Sequence, residues 1–217
     1  MAGPRPLACG ALRMSAASET GDHRTYPQEV RIKDDNHVTL RLMTAGDRDS
    51  MVAFAQALPS HDLLFLRRDI TRAEVIDLWL DDIQRERITT VVAEREGQLV
   101  GYATVDRGDV SWSPHVAELR VMVASSMRRV GLGRLLTFEA FRIALDLGVE
   151  KMVAQMTTDQ DGAIAVFETL GFRTEALLRD HVKDREGRKL DLLIMAHDVA
   201  RFLAQIEAYG MAEALEE

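Results

Sequence analysis

Apolar positions along this chain change their period several times, and each change marks an element. Residues 38–43 alternate Val38, Leu40 and Leu42 with Thr39 and Arg41, the two-residue period of a strand with one covered face. Thr44-Ala45-Gly46-Asp47 then opens a helix whose apolar stripe is Met51, Val52, Phe54, Ala55 and Leu58, stopped by Pro59. A second helix is predicted after Thr71, with Glu74 at the capping-box position and Val75, Ile76, Trp79, Leu80 and Ile83 on one side. Residues 88–94 and 99–105 are β-branched, mostly apolar runs joined by Arg95-Glu96-Gly97-Gln98, which predicts a hairpin.

Beyond a loop containing Pro114, residues 117–123 form a further strand that leads through a glycine-bearing loop into a helix. That helix carries Leu132, Leu135, Leu136, Ala140, Ile143 and Leu147 inward, leaves Glu139, Arg142 and Asp146 to water, and ends at Gly148. Residues 149–156 are almost continuously apolar, as in a central strand covered on both faces. A short helix over 160–170 precedes Gly171-Phe172 and two final strands, 172–182 and 189–196, joined at Asp184-Arg185-Glu186-Gly187.

Residues 1–36 mix Ala, Gly, Pro, Ser and charges without apolar periodicity, so they predict a mobile leader, with Met14 an alternative start. The fold is expected over 37–197. Residues 198–217 predict an amphipathic helix and tail, with Val199, Phe202, Leu203, Ile206 and Tyr209 on one side. That side suits packing on the domain or on a second copy, which leaves a homodimer open.

The chemistry is concentrated in the loop Arg128-Arg129-Val130-Gly131-Leu132-Gly133-Arg134. Glycines between a strand and a helix let the backbone approach a ligand closely, so amides at the helix start can point at phosphate oxygens. A Walker loop needs Lys and then Ser or Thr after its last Gly, where this chain has Arg134 and Leu135. A dinucleotide fingerprint needs a small residue where Leu136 stands. What remains is Arg-x-x-Gly-x-Gly, filled by Arg128, Gly131 and Gly133.

In this context the loop resembles the acetyl-coenzyme A loop of the GNAT superfamily of N-acetyltransferases. A second segment, Gly162-Ala163-Ile164-Ala165-Val166-Phe167-Glu168-Thr169-Leu170-Gly171-Phe172, looks like the short helix and Gly-Phe that the superfamily places beside the coenzyme's thiol. The order of elements over about 38–196 also matches. The resemblance implies an α/β (α+β) fold, a mixed and mostly antiparallel central sheet flanked by helices with splayed central strands. It implies acetyl-CoA as co-substrate, its pantetheine on the backbone of Met122 and Val123 and its pyrophosphate on the amides of residues 128–134. The chemistry it implies is acetyl transfer to a primary amine of a small molecule, protein or peptide, by direct attack in a ternary complex.

The same comparison assigns the acid–base groups. Glu118 is the candidate general base, although counting back from Val123 puts the usual acid at Ala117; Arg120, two residues on, is the natural ion-pair partner of Glu118. At the position where relatives carry a thiolate-protonating Tyr this chain has Phe167, and Gln160 stands where an Asn often opens the helix. His181 is the candidate substitute acid. Phe65, Trp112 and His115 are candidates for an acceptor rim. Phe167 and the shifted acid motivate an alternative, a catalytically weak CoA-binding sensor or interaction module.

Composition narrows this further. The formal net charge of −8, from 35 Asp and Glu against 27 Lys and Arg, argues against a nucleic-acid surface. The single Cys9 excludes a disulfide framework and fits a reducing, cytoplasmic setting. The six His have no metal-ligand spacing, so no metal is expected, and no apolar run reaches the roughly 20 residues of a membrane helix.

Overall fold

The structure, a computed structural model, describes residues 26–63, 66, 68–184 and 186–199. Most of the leader predicted from the sequence, Phe65, and the amphipathic helix predicted for the tail beyond Val199 lie outside the described residues. Eight strands form one sheet: β1 Gln28–Arg31, β2 His37–Leu42, β3 Ile88–Arg95, β4 Gln98–Asp106, β5 Val116–Val123, β6 Lys151–Thr157, β7 Arg173–Lys183 and β8 Lys189–Asp198, in the order β1-β2-β3-β4-β5-β6-β8-β7. Every neighbouring pair is antiparallel except β5 with β6. The helices are α1 Arg48–Gln56, α2 Ser60–Leu63, α3 Ala73–Gln84, α4 Leu132–Asp146 and α5 Asp161–Thr169.

Alternation along β3 and β4 sorts the core into two layers. Val91, Ala93, Ala103 and Val105 face α4 with Leu132, Leu136 and Ala140, whereas Val92 and Tyr102 face α1 and α3 with Met51, Phe54, Ile76 and Trp79. Trp79 completes this second layer with an indole N–H donated to the Thr90 hydroxyl at 3.1 Å, so its polar edge is satisfied although the ring is buried. Gly101 lets α4 lie close to β4: a Cβ there would meet the Leu136 side chain and the Met122 carbonyl, both at 2.9 Å. Helices α4 and α5 both end in Schellman motifs. Gly148 and Gly171 take φ of +70° and +86°, and the Phe172 amide reaches back to the Phe167 carbonyl at 3.1 Å.

Several expectations are revised. A strand precedes the one predicted at 38–43: β1 pairs antiparallel with β2 inside the stretch taken as leader. With β1 comes Tyr26, whose hydroxyl donates to Glu139 at 2.9 Å, so Glu139 is 2% exposed on α4 instead of facing water. The Thr71 cap does not form. Arg72 occupies the N-cap of α3 without a side-chain cap bond, and Thr71 donates to Asp69 instead. At the start of α1, by contrast, Asp47 accepts from the Thr44 amide at 2.7 Å and hydroxyl at 3.0 Å and pairs with Arg41 at 2.7 Å.

Gly101→Ala will lower the unfolding free energy by about 1–3 kcal/mol in denaturant titration, because a backbone carbonyl has to shift. Gly162→Ala, where a Cβ meets nothing within 4 Å, will change it by no more than about 1 kcal/mol, in the stabilising direction.

Candidate active site

The two parallel strands stay together only briefly. β5 pairs with β6 at Val116↔Lys151, Ala117↔Met152 and Glu118↔Val153, after which β5 continues to Val123 and β6 to Thr157 with no ladder joining them. On their outer sides both remain paired, β5 with β4 through Val123 and β6 with β8 through Thr157. A wedge-shaped cleft results, with its vertex at Glu118 and its open end at the starts of α4 and α5. Backbone groups facing this cleft lack sheet partners and are available to a ligand.

Register decides which groups those are. The Ala124 amide donates to the Val100 carbonyl at 2.9 Å, so the two-residue alternation turns the backbone N–H and C=O of Met122, Arg120 and Glu118 toward β4. The groups of Val121 and Val123, beyond the last parallel pair, face the cleft. Met122, named from the resemblance, does not offer its backbone to the cleft: that backbone is committed to Tyr102 across the sheet, and the cleft-facing groups are those of Val121 and Val123.

At the open end, Arg129 and Gly131 take left-handed backbone conformations, φ +67° and +93°. Gly131 is the N-cap of α4 and no side chain caps the helix. The first intrahelical bond runs from the Leu135 amide to the Gly131 carbonyl at 3.0 Å, which leaves the amides of Leu132, Gly133 and Arg134 ahead of the ladder. Unpaired amides and the positive end of the helix dipole are suited to an anion. The loop is tethered by the Lys33 amide, which donates to the Val130 carbonyl at 3.1 Å. Leu132 buries its side chain in the core, Arg129 and Arg134 are exposed, and the exposed Arg128 donates to Asp62 of α2. His61 of the same helix lies 3.2 Å from Asp159, just after β6. Helix α2 thus spans the ends of both parting strands.

A cavity of about 120 Å³ opens on the α3 face of the sheet beside the vertex. Asp106, Thr104 and Tyr102 line it from β4, with Glu118 and Arg120 from β5; Trp79 and Arg68 close it from the helical side. Asp106 and Glu118 sit directly opposite each other in the register, as do Thr104 and Arg120. Arg120 donates to Glu118 at 2.5 Å, and Arg68 pairs with Asp82 at 3.0 Å. Glu118 turns into this cavity without a bulge, whereas Ala117, the position reached by counting back from Val123, is in the core under α4. Burial pushes the Tyr102 phenol well above its ordinary pKa, against the opposing charge of Arg120, so the hydroxyl keeps its proton.

The other named residues lie elsewhere. His181 is exposed on β7, in an irregular stretch where the register with β8 shifts between Leu178 and Val182, and it does not line the cavity. Gln160 is the half-buried N-cap of α5, its carbonyl accepting from the amides of Ala163 and Ile164 at 2.9 and 3.0 Å. Phe167 is a core side chain, packed edge-on against Phe172 at 5.0 Å. Trp112 is 84% exposed in the β4–β5 loop. Asp106 and Tyr102 escaped the sequence reading, although they share the β4 parity that points at α3. Among the described residues no group of three metal-ligating side chains occurs, and no helix is long and apolar enough to cross a membrane.

Comparison with known proteins agrees with this geometry. The profile of the acetyltransferase (GNAT) family matches residues 55–172, more than half of the chain, and the protein belongs to that family. Its fold is similar to the crystal structure of a ribosomal-protein-alanine N-acetyltransferase from Brucella melitensis, 30% identical, with a TM-score of 0.65 over 73% of this chain and 98% of that one. It is also similar to a phosphinothricin acetyltransferase from Sinorhizobium meliloti solved with acetyl-CoA, 22% identical, TM-score 0.66, over 74% of this chain and 88% of that one. A curated Bacillus subtilis (strain 168) protein, YwnH, named provisionally as a phosphinothricin acetyltransferase, is 22% identical over 165 residues, 75% of this chain and all of its own length.

Because Phe167 is packed as core, Phe167→Ala will cost about 3–5 kcal/mol of stability in denaturant unfolding.

Proposed function

We propose that the protein transfers the acetyl group of acetyl-CoA to a primary amine by direct attack in a ternary complex. The observation that carries this reading is the wedge between β5 and β6, which runs from an anion-binding helix start to a vertex where Glu118 faces a small cavity. The amides of Leu132, Gly133 and Arg134 would hold the pyrophosphate, and the cleft-facing backbone of Val121 and Val123 would hold the pantetheine arm. Acetyl-CoA supplies an activated acyl group and a thiolate that leaves readily. Glu118 would take the ammonium proton, directly or through one water, so that the neutral amine can attack. Phe167 has no proton to give, so the thiolate takes its proton from water or from the acceptor, and His181 is assigned no step.

Relatives named for a ribosomal-protein alanine and for phosphinothricin leave two acceptor classes. The small cavity supports a small-molecule acceptor over a protein chain. The cytoplasmic setting read from Cys9 belongs to the same proposal.

Calorimetric titration with acetyl-CoA tests the donor site. Gly133→Ala, whose Cβ would stand 3.7 Å from Val123 in ordinary contact, will fold normally yet weaken acetyl-CoA binding at least tenfold. Unchanged affinity would refute the backbone cradle. Glu118→Gln will lower kcat by about 10²–10⁴-fold while leaving the acetyl-CoA dissociation constant within about twofold; an unimpaired kcat would remove Glu118 as the base.

A further inference from the structure

We propose that the acceptor carries an acid group within a few bonds of its amine, and that Arg120 and the Tyr102 hydroxyl hold that acid group while Asp106 and Glu118 receive the amine. This rests on the acetyl-transfer reading and deepens it.

The cavity is charged in an unusual order. Asp106 and Glu118 sit opposite each other across β4 and β5, Asp106 accepting from the Gly108 amide at 2.8 Å and Glu118 from Arg120, and a ligand cation can join the two carboxylates from the cavity. One register step toward the open end stands Arg120, which uses one nitrogen on Glu118; among the described residues no second carboxylate reaches it. Another step on is Tyr102, 1% exposed and lining the cavity, and among the described residues nothing hydrogen-bonds its hydroxyl. The hydroxyl opens on the cavity, where a ligand oxygen can accept its proton. Its rings of support are fixed: Phe54 and Trp79 meet the Tyr102 ring edge-on at 5.9 and 5.1 Å. The hydroxyl is therefore held in place, ready to donate.

The Arg120–Glu118 contact sets the spacing. A cationic and an anionic protein group side by side match a ligand whose own opposite charges are close together, as in an amino acid, and not one whose acid lies at the end of a long chain. Arg68, exposed and paired with Asp82, lines the same cavity from the helical side.

The test is thiol release from acetyl-CoA with the common L-amino acids, each compared with the amine left by removing its carboxylate and with its amide. The expected result is a kcat/KM at least a hundredfold higher for an acid-bearing amine than for both of its matched neutral partners. Tyr102→Phe is expected to raise KM for that acceptor by roughly 10–100-fold with little change in kcat, and to leave both the acetyl-CoA dissociation constant and thermal stability unimpaired. Arg120→Lys, which keeps the charge but loses the planar fork, is expected to raise the same KM. Equal use of the neutral amines, or an unchanged KM in Tyr102→Phe, would overturn this inference and leave acetyl transfer standing. Acetyl-CoA binding with no turnover of any amine would overturn both.

Discussion

Everything in this molecule that concerns chemistry depends on two parallel strands parting after three residue pairs. Unpaired strand edges inside a protein are costly, because each carries backbone donors and acceptors with nowhere to go. Here the cost is contained: β4 and β8 hold the outer sides of β5 and β6 in full register, so the wedge opens without loosening either half of the sheet. Helix α4 braces one half from beneath, and Gly101 permits its close approach.

In the proposed reading the same parting separates two kinds of recognition. Along the wedge the protein offers main chain: the edge of Val121 and Val123, then the unpaired amides at the start of α4. Beside the vertex it offers side chains: Glu118, Arg120, Asp106 and Tyr102, all at positions whose parity turns them toward α3. Neither set intrudes on the other, because alternation sends the backbone of one residue into the wedge and the side chain of the next into the cavity. Met122 illustrates the rule. Its side chain belongs to the α1–α3 layer while its backbone closes the β4 ladder.

This division explains what could be read from the chain. Main-chain recognition requires particular backbone conformations, and those leave glycines at fixed spacing: Gly131 at φ +93° and Gly171 at φ +86° are needed for their turns, so the loop and the Gly-Phe segment were legible. Most strands and helices also followed from their periods. The first strand did not, because Gln28–Arg31 has only Val30 as an apolar residue and owes its place to pairing with β2. Glu139 was misassigned for the same reason, since its partner Tyr26 arrives with that strand. Which way the Met122 backbone faces is a matter of parity that only the register with β4 fixes, and Glu118 lines the cavity although counting back from Val123 pointed to Ala117.

Side-chain recognition leaves a different trace. Asp106 and Tyr102 are ordinary residues for a strand and a turn, and no spacing marks them; what marks them is the ladder that sets Asp106 against Glu118 and Tyr102 one step beyond Arg120. In the proposed reading the acceptor could change through substitutions at these alternate positions without disturbing the wedge, because none of them contributes a cleft-facing backbone group. Phe167 fits this account. Its ring packs against Phe172 while the Schellman turn at Gly171 is made by main chain alone, so the side chain at 167 is not needed for that turn.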